Sequence, residues 1–184
     1  MTNRFERISH RRLYSNAWLA LEVHDIRHPN GKPGEHALIV TPRASAAIIV
    51  DEDDFIFTRQ PRFGAQTDVL EIVKGGAEGE ETALACAQRE TREELGVIGE
   101  QWQPLGFLYE IPSVLSNPVQ LFVATQIYHV DTEFEAVETI ELVRVPRKAA
   151  YAAAVTGEIS DAITVAALLR YGLVSGYLSV GRPG

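Results

Sequence analysis

The sequence predicts an α+β protein: a mixed sheet with few helices, and a small N-terminal antiparallel β piece ahead of the main body. Three observations lead there. Short apolar runs separated by turn residues recur through most of the chain. One mid-chain stretch, Glu81 to Leu95, lacks Gly and Pro and repeats Ala83, Leu84, Ala87, Thr91 and Leu95 at helical spacing. Two more helical stretches follow near the end of the chain, so the helices are few against the strands. The 184 residues, 46% hydrophobic and 23% charged, suit one domain with a small extension.

The elements are read in order. Trp18 to Ile26 alternates apolar and polar residues, imperfectly, and the cluster His28-Pro29-Asn30-Gly31-Lys32-Pro33-Gly34 separates it from Ala37 to Val40. Asn-Gly between two such runs signals a hairpin, and Pro42 ends it. Ala46 to Val50 and Phe55 to Arg59 flank the acidic turn Asp51 to Asp54. Val69 to Val73 is apolar apart from Glu71, and Gly75-Gly76 breaks it. Gly96 stops the mid-chain helix. Leu105 to Ile111, Val119 to Tyr128 and Thr139 to Val145 read as strands. Pro146 opens an Ala-rich helix to Thr156, and Ser160 caps a last helix to about Leu173. The expected organisation is an N-terminal β-hairpin extension over 1–43, a main domain over 44–174 and a fraying tail over 175–184.

Lys and Arg number 17 against 25 Asp and Glu, a formal net charge of −8. That balance argues against broad nucleic-acid binding, where basic residues supply most of the affinity. A single cysteine, Cys86, excludes an intramolecular disulfide and a cysteine metal cluster. With no 18-residue apolar run and no apolar stretch in Met1 to Arg12, neither a membrane span nor a secretory signal is expected, and the default location is cytoplasmic. An acidic protein that handles phosphates needs metal ions to do so.

Such ions have an obvious place. On a helix, Glu90, Glu93 and Glu94 lie at i, i+3 and i+4 and crowd one face, which destabilises the helix unless a cation compensates. Carboxylate oxygens are the donors that Mg2+ or Mn2+ prefers, and Arg89 can orient one of them. Gly75-Gly76 lets the backbone turn tightly and bring a carbonyl near the same ions.

Gly75, Glu81, Arg89-Glu90, Glu93-Glu94, Gly96 and Val97 match, position for position, the signature of the Nudix hydrolases. Seven fixed positions would match by chance with a probability on the order of 10⁻⁹ to 10⁻⁸ per window at average composition. The one departure is Thr91 in an apolar slot, where a small β-branched residue still packs. The resemblance implies an α/β/α sandwich around a mixed sheet. It also implies hydrolysis of a nucleoside diphosphate linked to another group, with Mg2+ as cofactor and Mn2+ as the alternative. By that likeness Glu90 and Glu94 are the main metal ligands, the Lys74 carbonyl adds another, and Glu93 assists as ligand or base.

Likeness to the ADP-ribose pyrophosphatase branch extends over roughly 13–170. Pro112 lies fifteen residues after Val97, and Arg59-Gln60-Pro61-Arg62 resembles that branch's strand end, whose second Arg contacts the diphosphate. Glu138 to Pro146 resembles the segment whose leading Glu is proposed as base, which leaves Glu138 and Glu93 as alternatives. Trp18 and His36 fall where aromatic groups meet the adenine from the other subunit, implying a homodimer with exchanged N-terminal strands; for Trp18, plain packing is the alternative. Lys74 and the pair Ser116-Asn117 depart from that branch; Pro112-Ser113 followed by Ser116, and Lys74-Gly75, resemble the ADP-compounds hydrolases instead, with Ser116 at the substrate. The expected partner is therefore a small nucleotide, with no nucleic acid and no membrane. Two alternatives stand beside hydrolysis of an ADP-linked compound: another nucleoside diphosphate-linked substrate, and a non-catalytic module that binds an ADP-containing ligand. Cys86 reads as a small buried hydrophobe.

Overall fold

The computed structural model describes residues 4–131 and 139–179, which fall into two compact units. The first comprises 4–43 and 109–118. Its strands β1 (Glu6–Ser15), β2 (Ala20–Arg27) and β3 (Pro33–Val40) form an antiparallel sheet in that order. The sheet thus has three strands where the sequence suggested two. All ten residues of β1 are exposed, so it carries no buried face to write an alternating pattern. The backbone ladder to β2 holds it, with charge pairs across that ladder: Arg12 with Glu22 at 2.9 Å, and Arg27 with Glu6 at 3.1 Å. The second strand begins at Ala20, because Trp18 belongs to a turn in which the Asn16 side chain accepts from the Trp18 and Leu19 N–H groups, each at 2.9 Å. The 109–118 segment joins this unit through a bridge between Ile39 and Leu115.

The second unit comprises the remaining described residues. Its strands are β4 (Ala44–Asp51), β5 (Asp54–Arg62), β6 (Thr67–Glu71), β7 (Val73–Gly76), β8 (Val97–Leu108), β9 (Val119–His129) and β10 (Glu141–Pro146). The sheet runs β10-β5-β4-β9-β8, with β6 paired to β5 and β7 to β4. β4 and β9 are parallel and the other pairs antiparallel, so the sheet is mixed. Helix α1 (Ala83–Leu95) covers one face, and α2 (Arg147–Thr156) and α3 (Ala162–Val174) the other. Alternation along β4 divides the core. Ala46, Ile48 and Val50 pack with Tyr151, Ile163 and Leu168, whereas Ala47 and Ile49 pack with Ala87 and Leu95. The α/β/α sandwich expected from the resemblance is present. None of the described helices is long and apolar enough to cross a membrane.

Several boundaries differ from the sequence reading, and four of them have a clear physical reason. The run at Val69–Val73 is two strands meeting at Ile72, and Gly75-Gly76 ends β7 as part of it. β8 starts at Val97 and stops at Leu108, where the sequence pointed to Leu105–Ile111. Its polar residues and Pro104 hide a strand that only an edge position tolerates, with a bulge between Pro104 and Gly106. α1 begins at Ala83, two residues after the start of the stretch read from Glu81, with Thr82 as its cap accepting from Ala85 N–H at 3.2 Å. Asp161, not Ser160, caps α3, accepting from Thr164 N–H at 2.9 Å.

Candidate active site

The site grows from the two ends of α1. Gly96 at its C-terminus adopts φ 58°, and its N–H donates to the Arg92 and Thr91 carbonyls. Between the caps, Cys86, Ala87, Thr91, Glu94 and Leu95 are buried. Thr91 fills its apolar slot because its hydroxyl is satisfied within the helix, donating to the Ala87 carbonyl at 2.6 Å. Burial pushes the Cys86 thiol up to about 11, as befits a packing residue and not a nucleophile.

Arg89 is the hub. Its Nε and Nη2 donate to Glu81 at 3.1 Å each, and its Nη1 donates to both Glu90 and Glu93 at 2.9 Å. Nη2 also donates to the Gly76 carbonyl at 2.8 Å, tying the helix to β7. Burial opposes the guanidinium charge, but Glu81, Glu90 and Glu93 outweigh it and raise its pKa. In return, Arg89 holds the Glu81 carboxyl below its usual range.

Gly75 faces Glu90 at a distance no side chain could share: a Cβ there would lie 2.0 Å from the Glu90 carboxyl carbon. Glycine is needed here for close approach, since Gly75 has none of the positive φ angles that mark other glycines of the chain. Glu94, one turn on from Glu90, is 7% exposed, whereas the Glu93 side chain is 37% exposed.

A second charged group stands beside β7. Buried Glu71 accepts from Arg62 Nε at 2.7 Å and also from its Nη2, while its other oxygen meets Lys74 Nζ at 2.7 Å. Lys74 Nζ also meets Asp161 at 2.7 Å. Burial works against the Asp161 charge, yet Lys74 and Thr164 prevail and lower its pKa. Arg59, nearer the solvent, pairs with Glu141 at 3.3 Å.

The candidates Trp18, His36 and Ser116 belong to the first unit. Trp18 is 75% exposed, so packing within this unit does not account for it; it borders a cavity of about 310 Å³ with Asn16, Val40 and Thr41. His36 Nε2 donates to the Ser113 carbonyl at 2.8 Å, which requires the proton on that nitrogen. The Ser116 hydroxyl is buried without a hydrogen-bond partner among the described residues, and Asn117 donates to the Thr41 carbonyl. Glu138 lies outside the described residues.

The NUDIX domain family matches residues 40–168, well over half of the chain. The chain belongs to the NUDIX family. It is 27% identical over 164 residues to the ADP-ribose pyrophosphatase of Bacillus subtilis (strain 168), covering 88% of this chain and 89% of that one. It is also 29% identical over 113 residues to the methanol dehydrogenase activator of Bacillus methanolicus, covering 61% of each. The crystal structure of an ADP compounds hydrolase superposes with a TM-score of 0.82 over 96% of this chain and 97% of that one, at 22% identity, which shows a shared fold.

Within this NUDIX domain the donor set suits a hard divalent cation. Glu90, Glu93 and Glu94 offer only oxygen, with the Lys74 carbonyl as a further candidate, and Gly75 leaves the Glu90 carboxylate room that a Cβ would take. Among the described residues no three acidic, His or Cys side chains are gathered closely enough to grip an ion together; Arg89 draws Glu90 and Glu93 to itself instead. The sequence reading missed Glu71 and Asp161 as parts of the charged group beside β7. One signal was available: a lone carboxylate inside the run Val69–Val73 must be paired if that run is buried.

Proposed function

We propose that this NUDIX protein hydrolyses the diphosphate linkage of ADP-ribose or a related ADP-linked compound, releasing AMP and a phosphorylated moiety, with Mg2+ and, as the alternative ion, Mn2+. The observation that carries the reading is the Glu90 carboxylate set over Gly75 and joined through Arg89 to Glu81 and Glu93. A protein relieved of catalysis has no use for that complete set. The similarity to the Bacillus subtilis ADP-ribose pyrophosphatase, over 88% of the chain, supports the substrate class. A cytoplasmic location accords with it.

In this reading Glu90 and Glu94 hold the ions, helped by Glu93 and the Lys74 carbonyl. When bound, divalent ions neutralise charge on the bridging and leaving oxygens and lower the pKa of the attacking water. Arg89 keeps the carboxylates in orientation before substrate arrives. Glu93, the most exposed of the three, or Glu138 takes the proton from the water. Arg62 and Arg59 meet the diphosphate, and Trp18, His36 and Ser116 serve the nucleoside side, with a homodimer supplying the N-terminal residues from the second copy.

The test is turnover by purified protein with Mg2+ of ADP-ribose, NADH, diadenosine triphosphate, ADP-glucose, GDP-mannose and dATP, following nucleotide release. Preferential cleavage of ADP-ribose supports the narrow form, and even cleavage of the ADP compounds the broader one. No cleavage, with tight binding of ADP-ribose, overturns the enzyme reading in favour of a binding module.

A further inference from the structure

Glu71 poses a physical problem. It is 1% exposed on β6, at the register position opposite Thr58, and a buried carboxylate is costly unless it is paired and hydrogen-bonded. Two cations meet it, one on each oxygen: Arg62 through Nε and Nη2, and Lys74 through Nζ. Asp161 takes the second bond of Lys74 and is itself fixed by the Thr164 N–H and hydroxyl, at 2.9 and 2.7 Å. Two positive and two negative groups thus form a linear chain, Arg62–Glu71–Lys74–Asp161, whose far end is pinned to the first turn of α3. It lines a cavity of about 300 Å³. A guanidinium offers five N–H donors in a rigid fork, and Glu71 takes up only the Nε and Nη2 side, so Nη1 is the nitrogen left for an oxygen arriving from solvent. The Arg62 side chain is 40% exposed, unlike Glu71 behind it.

We propose that Glu71, anchored through Lys74 to Asp161, is the positioning residue that holds the Arg62 guanidinium for contact with the substrate diphosphate. The proposal rests on the function proposed above and names which buried groups make Arg62 effective there. An arginine at the end of a strand, beside the turn at 63–66, sweeps many rotamers; two bonds from Nε and Nη2 converging on one oxygen of a buried carboxylate restrict them. That ordering is completed before substrate binds and is not charged against its affinity.

Steady-state kinetics on ADP-ribose with Mg2+, for wild type, Arg62→Ala, Glu71→Gln and the double variant, test it. Glu71→Gln keeps the shape and removes the charge. The expected result is a rise in KM of about 10-fold with kcat within about twofold, and no further rise when Glu71→Gln is added to Arg62→Ala, since a residue that acts through Arg62 has nothing left to position. A structural role predicts additive losses instead, and additivity overturns the proposal, as does an unchanged KM in either single variant. Should Glu71→Gln fold poorly by circular dichroism, Asp161→Asn at the outer end of the chain replaces it, with the same non-additivity required. Active wild type with an unmoved KM sinks this inference alone. Wild type inactive on every ADP-linked compound removes the proposed function and this inference with it.

Discussion

Gly75 and Glu90 occupy space that only one of them can extend into: a Cβ on Gly75 would lie 2.0 Å from both the carboxyl carbon and Oε1 of Glu90. The carboxylate is the end of a flexible side chain, so Gly75→Ala is accommodated by turning Glu90 aside and not by moving backbone. The fold should survive, with a stability change of about 1 kcal/mol. Activity should not, because displacement of a reacting group by about 1 Å costs on the order of 100-fold. Thermal melts and turnover of the same preparation check this, and full activity in Gly75→Ala would show that the Glu90 placement is immaterial to the reaction.

Glu90 and Glu94 lie one helical turn apart, and in the proposed function they carry the ions. Glu94→Gln keeps the volume and removes the charged donor. Turnover at saturating Mg2+ should fall by about 100-fold or more while the circular dichroism spectrum stays as in wild type. Normal turnover would mean that Glu94 holds no metal.

The NUDIX stretch was legible because its chemistry is local. Arg89, Glu90, Glu93 and Glu94 sit on one helix, so their spacing alone puts the three carboxylates on one face beside an arginine, whereas the bond from Arg89 to Glu81 appears only in the structure. As a small β-branched residue Thr91 is expected to pack, and the structure adds that its hydroxyl closes on its own helix. The charged chain beside β7 was not legible. Lys74 and Asp161 are 87 residues apart and meet only because the first turn of α3 is fixed at Ile72, whose N–H donates to the Thr164 hydroxyl at 3.0 Å. β1 was lost for a different cause: it is held by its backbone ladder and ion pairs to β2 with no buried face, and hydrophobic periodicity is silent about such a strand. Charge complementarity between Glu6, Arg12 and the residues of β2 was the only available mark.

Arg89 stands among three carboxylates, with its side chain 22% exposed. Arg89→Met removes the cation and leaves Glu81, Glu90 and Glu93 to repel one another. The expected loss of stability is about 1–3 kcal/mol in metal-free buffer, measured by urea denaturation with EDTA. Part of that loss is like-charge repulsion at a partly exposed site, so about 0.5 M NaCl should return some of it. A loss that salt leaves untouched would assign the whole effect to missing hydrogen bonds.

Glu93 and Glu138 compete for the role of base. Glu93→Gln and Glu138→Gln, compared at saturating Mg2+, should differ in kcat, and the larger fall marks the base. Glu93 also shares Arg89 with Glu90, so its variant is expected to need more Mg2+ for half-maximal activity, a shift that Glu138→Gln should not show.

Acid should separate the Glu81–Arg89 pair from the rest of the fold. Hydrogen bonds from Arg89 lower the Glu81 pKa, against the opposing effect of burial. The folded protein therefore keeps Glu81 ionised to a lower pH than the unfolded chain, whose glutamates titrate near about 4.3. A depressed folded value means stability that is complete above the unfolded pKa and is lost as pH falls through the folded one. Glu81→Gln cannot titrate and lacks that contribution at every pH. The gap in Tm between wild type and Glu81→Gln, measured in EDTA, should thus be steady from about pH 7 to pH 5 and close below about pH 4. A gap that widened on acidification would require Glu81 to be held above its ordinary range, and the bonds from Arg89 could not then be the ones that set its charge.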